Sequence, residues 1–239
     1  MFNFYFQNSS TTAAIRAVSF PILAILILAG CGTRGGGDGI NPDRNFAPPA
    51  PDEPPPELTA PADIARALRA GGYVIYMRHG LTKRSELELE SKSRAAGKFS
   101  LSDCSTQRNL SDEGLAESRA AGEQFRRMNL PVAKYLSSRY CRVWQTARAF
   151  SDSIAYSEAL TSDGPVVKQP ERIEGVRALL AEKPPVGRNH MLFAHQGIFW
   201  EATRLTVQEG WAVVLVPGVY TRIVARISSA DWARLAAVP

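Results

Sequence analysis

The chain has 239 residues, 45% of them apolar, with 28 basic against 23 acidic side chains and a formal charge of +5. This is enough apolar material for one or two domains with a real core. The modest positive excess suits anionic small molecules or an anionic surface. With no long basic run, and no basic residues interleaved with exposed aromatics, nucleic acid is excluded as the partner.

The N-terminus reads as a secretory signal outside the fold. Arg16 is its one charge, an apolar run spans Val18 to Leu28, and Leu28-Ala29-Gly30-Cys31 follows. A basic start, a short apolar run and small residues before a cut site describe an exported chain. The run is short for a membrane span. Leu-Ala-Gly-Cys resembles a bacterial lipobox. That implies a signal peptide over residues 1–30, lipidation of Cys31 and a membrane anchor on the periplasmic face. Gly32 stands where an aspartate would favour inner-membrane retention, so the resemblance favours the outer membrane. Residues 31–58 read as a tether, flexible at Gly35-Gly36-Gly37 and extended through the prolines from Pro48 to Pro56.

Residues 59–239 are the length of one domain. Pro61 opens a helix to Ala70, with Gly71-Gly72 as its stop. The apolar run Tyr73 to Met77 is a strand ending in Arg78-His79-Gly80, where Gly80 permits a turn that a side chain would obstruct. Residues 81–109 read as a long loop with a mixed-charge insert containing Glu86, Glu88 and Glu90, for which a helix is one reading. Its plain reading is a solvated surface; the other is a mobile loop over a site. Ser111 caps a helix to about Met128. A strand, Val132 to Ser137, leads to Arg142 and a helix ending near Phe150. A short strand and a loop occupy 154–168. An amphipathic helix follows over Pro170 to Lys183, with Ile173, Val176, Leu179 and Leu180 on one face. The strand Met191 to Ala194 ends in His195-Gln196-Gly197, and a helix from Ile198 to Gln208 is expected. A hairpin about Pro217-Gly218 and a short helix from Ala230 close the chain. Alternating strands and helices predict an α/β fold: three layers, a mainly parallel sheet with helices on both faces, and an antiparallel edge hairpin.

Three of these strands end in chemistry. In a parallel sheet their carboxyl ends share one edge, where ligands bind. Arg78, His79, Arg142 and His195 can therefore converge. Two guanidinium groups and two imidazoles suit a dianion such as a phosphoryl group. The helix N-terminus at Arg142 adds backbone donors. A neutral imidazole can attack phosphorus, and neighbouring cations keep it neutral by lowering its pKa.

Arg78-His79-Gly80-Leu81-Thr82, Gln107-Arg108-Asn109-Leu110-Ser111 with Glu113-Gly114, Ser137-Ser138 with Arg142 and Gln145-Thr146-Ala147, and Ala194-His195-Gln196-Gly197 resemble the motifs of the histidine phosphatase superfamily, in its order. The resemblance covers about residues 72–228 and implies a phosphoglycerate-mutase-like fold. By it, His79 is the phosphorylated nucleophile, and Arg78, Arg142 and His195 complete the phosphate pocket. Thr82 and Gln196 are further pocket candidates. The chain departs from the pattern at Arg139, where the family often has proline. Glu158 and Asp163 map loosely to the family's proton donor. Asp163 and Glu201 are carried as the candidates, Asp163 slightly ahead. Cys104 and Cys141 each precede a motif; in an oxidising compartment one reading is a disulfide between them, and the other is two unpaired thiols. No cysteine–histidine spacing fits a zinc site, so neither metal nor cofactor is expected. His190 falls outside the motifs and reads as structural or exposed.

The expected function is hydrolysis of a small phosphomonoester, or a phosphohistidine, through phosphorylated His79. The alternative is a low-activity lipoprotein of the cell envelope that binds phosphate or a sugar phosphate.

Overall fold

The computed structural model describes residues 57–161, 170–218 and 222–239. The described residues all belong to one compact unit, Pro49–Pro239. The expected signal peptide, Cys31, most of the tether and the proton-donor candidate Asp163 lie outside the described residues.

In chain order the elements are α1 (Pro61–Ala70), β1 (Val74–Arg78), α2 (Leu89–Ala95), α3 (Asp112–Arg127), β2 (Val132–Ser137), α4 (Cys141–Phe150), β3 (Ala155–Tyr156), α5 (Pro170–Ala181), β4 (Asn189–Ala194), α6 (Gln196–Thr203), β5 (Ala212–Val216), β6 (Arg222–Ile227) and α7 (Asp231–Ala236). Single 3-10 turns over Arg84–Glu86 and Cys104–Thr106 flank α2. Six strands form one sheet in the order β3-β2-β4-β1-β5-β6. Neighbours among β3, β2, β4 and β1 pair in parallel, and β5 runs antiparallel to both β1 and β6. This is the expected three-layer α/β arrangement with its antiparallel edge hairpin.

The continuous apolar runs follow from burial on both faces of the sheet. Along β1, Ile75 and Met77 point into one core with Phe125 of α3, Phe150 of α4 and Trp232 of α7. Val74 and Tyr76 point the other way, into a core with Val176 and Leu180 of α5 and Ile198 and Phe199 of α6. Strand β4 divides in the same way, Met191 and Phe193 to the first core and Leu192 and Ala194 to the second. Each strand residue therefore serves one core or the other, and no polar alternation survives in the sequence. On α5, Val176 and Leu180 are buried while Ile173 and Leu179 pack partly against the same core.

Three details depart from the sequence reading or extend it. Helix α6 stops at Thr203 rather than near Gln208: Arg204 adopts a left-handed φ of 62° and donates its N–H to the Trp200 carbonyl. The freed segment returns to the carboxyl end of β1, where the Gly210 N–H bonds the His79 carbonyl at 2.8 Å. At the start of the domain, Leu58 donates its N–H to Val224 on β6 and Glu57 pairs with Arg226. The stretch 81–109 is a loop carrying short helical pieces, in line with the helical reading of its insert, and it contributes side chains to the site.

Candidate active site

Register brings the two imidazoles together. Arg78 pairs with Ala194 across β1 and β4, so the next residues, His79 and His195, leave the sheet side by side. Their ring centroids lie 5.4 Å apart in an edge arrangement. His79 is buried and His195 is half-buried at the polar end of the sheet, and desolvation by the surrounding protein, then the nearby Arg142 guanidinium, holds each well below the ordinary histidine range. Both rings are therefore neutral at neutral pH. His79 Nδ1 lies 2.9 Å from the Gly80 carbonyl. A carbonyl only accepts, so Nδ1 carries the ring proton and Nε2 presents its lone pair. His195 Nε2 is 3.1 Å from the Ser138 hydroxyl, and its ring meets that of Tyr140 edge-on.

The turn after His79 is fixed by close backbone approach. A Cβ on Gly80 would stand 2.6 Å from the Ser118 hydroxyl and 2.9 Å from the Gly114 carbonyl, and one on Gly114 would stand 2.1 Å from the Leu81 carbonyl. Only two bare backbones fit there, which seats the N-terminus of α3 directly on the turn. The Gly80 N–H donates to the Thr146 hydroxyl of α4, which donates to the Arg142 carbonyl. The His79 turn is thus tied to the helix that carries Arg142.

Two arginines from the fold's frame face this pair. Arg78 donates to the Val207 carbonyl and to Glu209. Arg142 lies over the Tyr140 ring, its guanidinium carbon 4.5 Å from the centroid. The buried Nε atoms of both arginines have no hydrogen-bond partner. Buried donors of this kind normally have partners, so two orphans beside two neutral imidazoles mark a place for an anion. The cavity holds about 230 Å³ and is lined by Arg78, His79, Arg142 and His195 together with Arg108, Glu90, Tyr140, Gln196, Gly197 and Ile198.

The insert supplies two residues to this cavity. Arg108 belongs to the Gln107-Arg108-Asn109 motif, and Glu90 lies on α2. Glu90 Oε2 accepts from Arg142 at 2.9 Å, and the Arg108 N–H lies 3.5 Å away. Glu90 Oε1 accepts from Arg94 at 3.4 Å. Arg142 also donates to the Arg108 carbonyl. The attachment is reinforced by a disulfide between Cys104 and Cys141, with Cα atoms 5.7 Å apart. Beside it, the buried Gln107 accepts from the Cys141 N–H at the start of α4 and donates to the Ser100 and Leu101 carbonyls.

The remaining candidates fall elsewhere. The Thr82 hydroxyl donates to Glu209, and Thr82 lines a neighbouring cleft of about 680 Å³. Gln196 lines the cavity, yet its amide is bound to the loop after α6, accepting from the Val207 N–H and donating to Leu205. Glu201 pairs with Arg204 and does not line the cavity. Glu158 sits between Arg139 and Arg172. His190 is buried on β4, its N–H bonded to Tyr73. Among the described residues no group of three histidine, cysteine, aspartate or glutamate side chains is arranged to hold a metal ion.

The sequence reading did not single out Glu90, and only the expected cysteine pair pointed toward it. A bridge from Cys104 to Cys141 draws the insert onto the residue beside Arg142, where an acid of the insert meets a guanidinium.

No protein-family model matches the chain, and no curated protein does either. Solved structures do. The protein histidine phosphatase SixA complexed with tungstate is 16% identical, over 66% of this chain and 98% of that one, with a TM-score of 0.46. The putative phosphohistidine phosphatase SixA from Agrobacterium tumefaciens is 18% identical, over 66% and 98%, with a TM-score of 0.43. A mycobacterial glucosyl-3-phosphoglycerate phosphatase is 15% identical, over 64% and 97%, with a TM-score of 0.44.

Proposed function

We propose that the chain is a phosphatase of the histidine phosphatase type, hydrolysing a phosphomonoester or a phosphohistidine through a phosphorylated His79. One observation carries this reading. His79 presents an unprotonated Nε2 in a small cavity lined by two arginines, each of which has a buried Nε donor without a partner.

The chemistry follows from those groups. The substrate's phosphoryl oxygens take the free donors of Arg78 and Arg142, which neutralise charge as it spreads over the equatorial oxygens. His79 Nε2 attacks phosphorus, a bond from nitrogen to phosphorus forms, and the ester bond breaks. The Gly80 carbonyl takes up the rise in acidity at Nδ1 as the ring becomes cationic. Water then attacks the phosphohistidine, and inorganic phosphate leaves with His79 restored. The low pKa of the ring keeps the nucleophile unprotonated through the neutral range.

The test is trapping. Full-length protein quenched during turnover of p-nitrophenyl phosphate should carry acid-labile, base-stable phosphate on His79. The His79→Asn variant should carry none, and its turnover should fall at least about a thousand-fold, as removal of a nucleophile does elsewhere. Wild-type activity in a folded His79→Asn variant sinks the reading.

A further inference from the structure

We propose that Glu90 is the general acid that protonates the leaving oxygen. The inference rests on the phosphatase reading above and deepens it. Departure of an alkoxide requires a proton, and the imidazoles are poor sources of one. His79 is committed to attack. Burial and Arg142 hold His195 neutral, so it has no spare proton to give at neutral pH.

Among the described residues, Glu90 is the one carboxyl side chain lining the cavity. It is also in contact with the clamp itself, 2.9 Å from Arg142. A phosphoryl group seated on Arg142 must share that guanidinium with the Glu90 carboxylate or push it aside. Either way the Glu90 carboxyl stays on the cavity wall beside the bound phosphoryl group, placed to carry the proton that the leaving oxygen needs. The other described carboxylates near the arginines are engaged elsewhere. Glu209 accepts from Arg78, from the Thr82 N–H and from the Thr82 hydroxyl. Glu201 is held by Arg204 outside the cavity.

The step balances. His79 Nε2 forms its bond to phosphorus, the bond from phosphorus to the ester oxygen breaks, and the Glu90 proton passes to that oxygen. The products are a neutral alcohol and a Glu90 carboxylate. In the second half the attacking water gives a proton back to Glu90, and the bond between phosphorus and nitrogen breaks.

The experiment compares two esters that differ in their need for an acid: p-nitrophenyl phosphate, whose leaving group departs as a stable anion, and glycerol 3-phosphate, whose leaving group does not. Glu90→Gln keeps an oxygen for Arg142 and removes the proton. The readout is kcat/KM, which covers the steps through leaving-group departure. In the full-length protein, Glu90→Gln should lower it about 10²–10⁴-fold for glycerol 3-phosphate, and less than about tenfold for p-nitrophenyl phosphate. Inhibition by orthovanadate should persist, because the clamp is intact. Equal losses on the two esters, with or without loss of orthovanadate inhibition, make Glu90 a residue that positions Arg142 and overturn the proposal. So does an unchanged rate on glycerol 3-phosphate. A wild-type protein that turns over neither ester removes the phosphatase reading first, and this proposal with it.

Discussion

The two halves of the cavity are held in place by different physics. His79, His195 and Arg142 hang on β1, β4 and α4, whose residues are buried in two cores and paired along the sheet. Glu90 and Arg108 come from the insert, where neither α2 nor the flanking 3-10 turns bury a residue. The insert is fixed instead by the Cys104–Cys141 disulfide, by Gln107 at the α4 N-terminus, and by ion pairs of Glu90 with Arg94 and Arg142. A core-packed frame holds the nucleophile and the clamp within a narrow range of positions. A stapled insert whose core contacts come from the partly buried Phe99 and Leu101 opens at lower free energy. The division suits the proposed chemistry, in which His79 stays fixed while the Glu90 carboxylate yields room on Arg142 to an arriving phosphoryl group.

The largest way to strain this division is to remove the staple. Cys104 and Cys141 lie 37 residues apart, and losing such a crosslink costs up to about 4 kcal/mol in the chain-entropy account. The Cys104→Ser/Cys141→Ser variant should show that loss in urea unfolding. Among the described residues, limited proteolysis under native conditions should cut first between Arg84 and Arg108. First cuts in β1, β4 or α4 would mean the insert is not the weaker half.

A smaller effect probes the frame. Gly114→Ala places a methyl group where the Leu81 carbonyl stands, and overpacking of this kind costs about 1–3 kcal/mol. Because Leu81 follows the His79 turn, activity should fall further than stability alone explains. Measured kcat at a temperature where the variant is fully folded decides it, and an unchanged kcat would mean the turn tolerates displacement.

The smallest effect is mild acidification. His79 and His195 are held low in the folded state, so below about pH 6.5 the unfolded chain binds protons that the folded one does not. Stability therefore rises with pH across the window below that value and is lost as the pH falls through it. Urea midpoints followed from about pH 8 to pH 5 should slope accordingly, and the slope should flatten in a His79→Asn/His195→Asn variant. An identical slope in that variant would assign the acid sensitivity to other groups.

Much of the frame was legible because its signals are local. Apolar runs bounded by glycine and proline place β1 and β4 within a residue or two, and Ser111 with its acids opens α3 where expected, its hydroxyl accepting from the Gly114 N–H. The reading failed where a local pattern was cut short by a distant contact. Helix α6 keeps an apolar sequence past Thr203, yet the chain breaks away at Arg204 to bring Gly210 onto His79 and Glu209 onto Arg78. The alternating glutamates of the insert looked solvated because nothing near them in sequence pairs with Glu90 from across the cavity. Its strong partner, Arg142, lies 52 residues away.

The sequence by itself determined that imidazoles and guanidinium groups stand at the ends of strands, because side-chain period and turn chemistry are properties of neighbouring residues. Only the tertiary structure decided that β4 lies between β2 and β1, in the register that sets His79 beside His195. The same is true of Glu90, which meets Arg142 where Glu201 does not. Strand order, register and the landing place of an insert depend on contacts between residues far apart in the chain, formed when both faces of the sheet are buried at once.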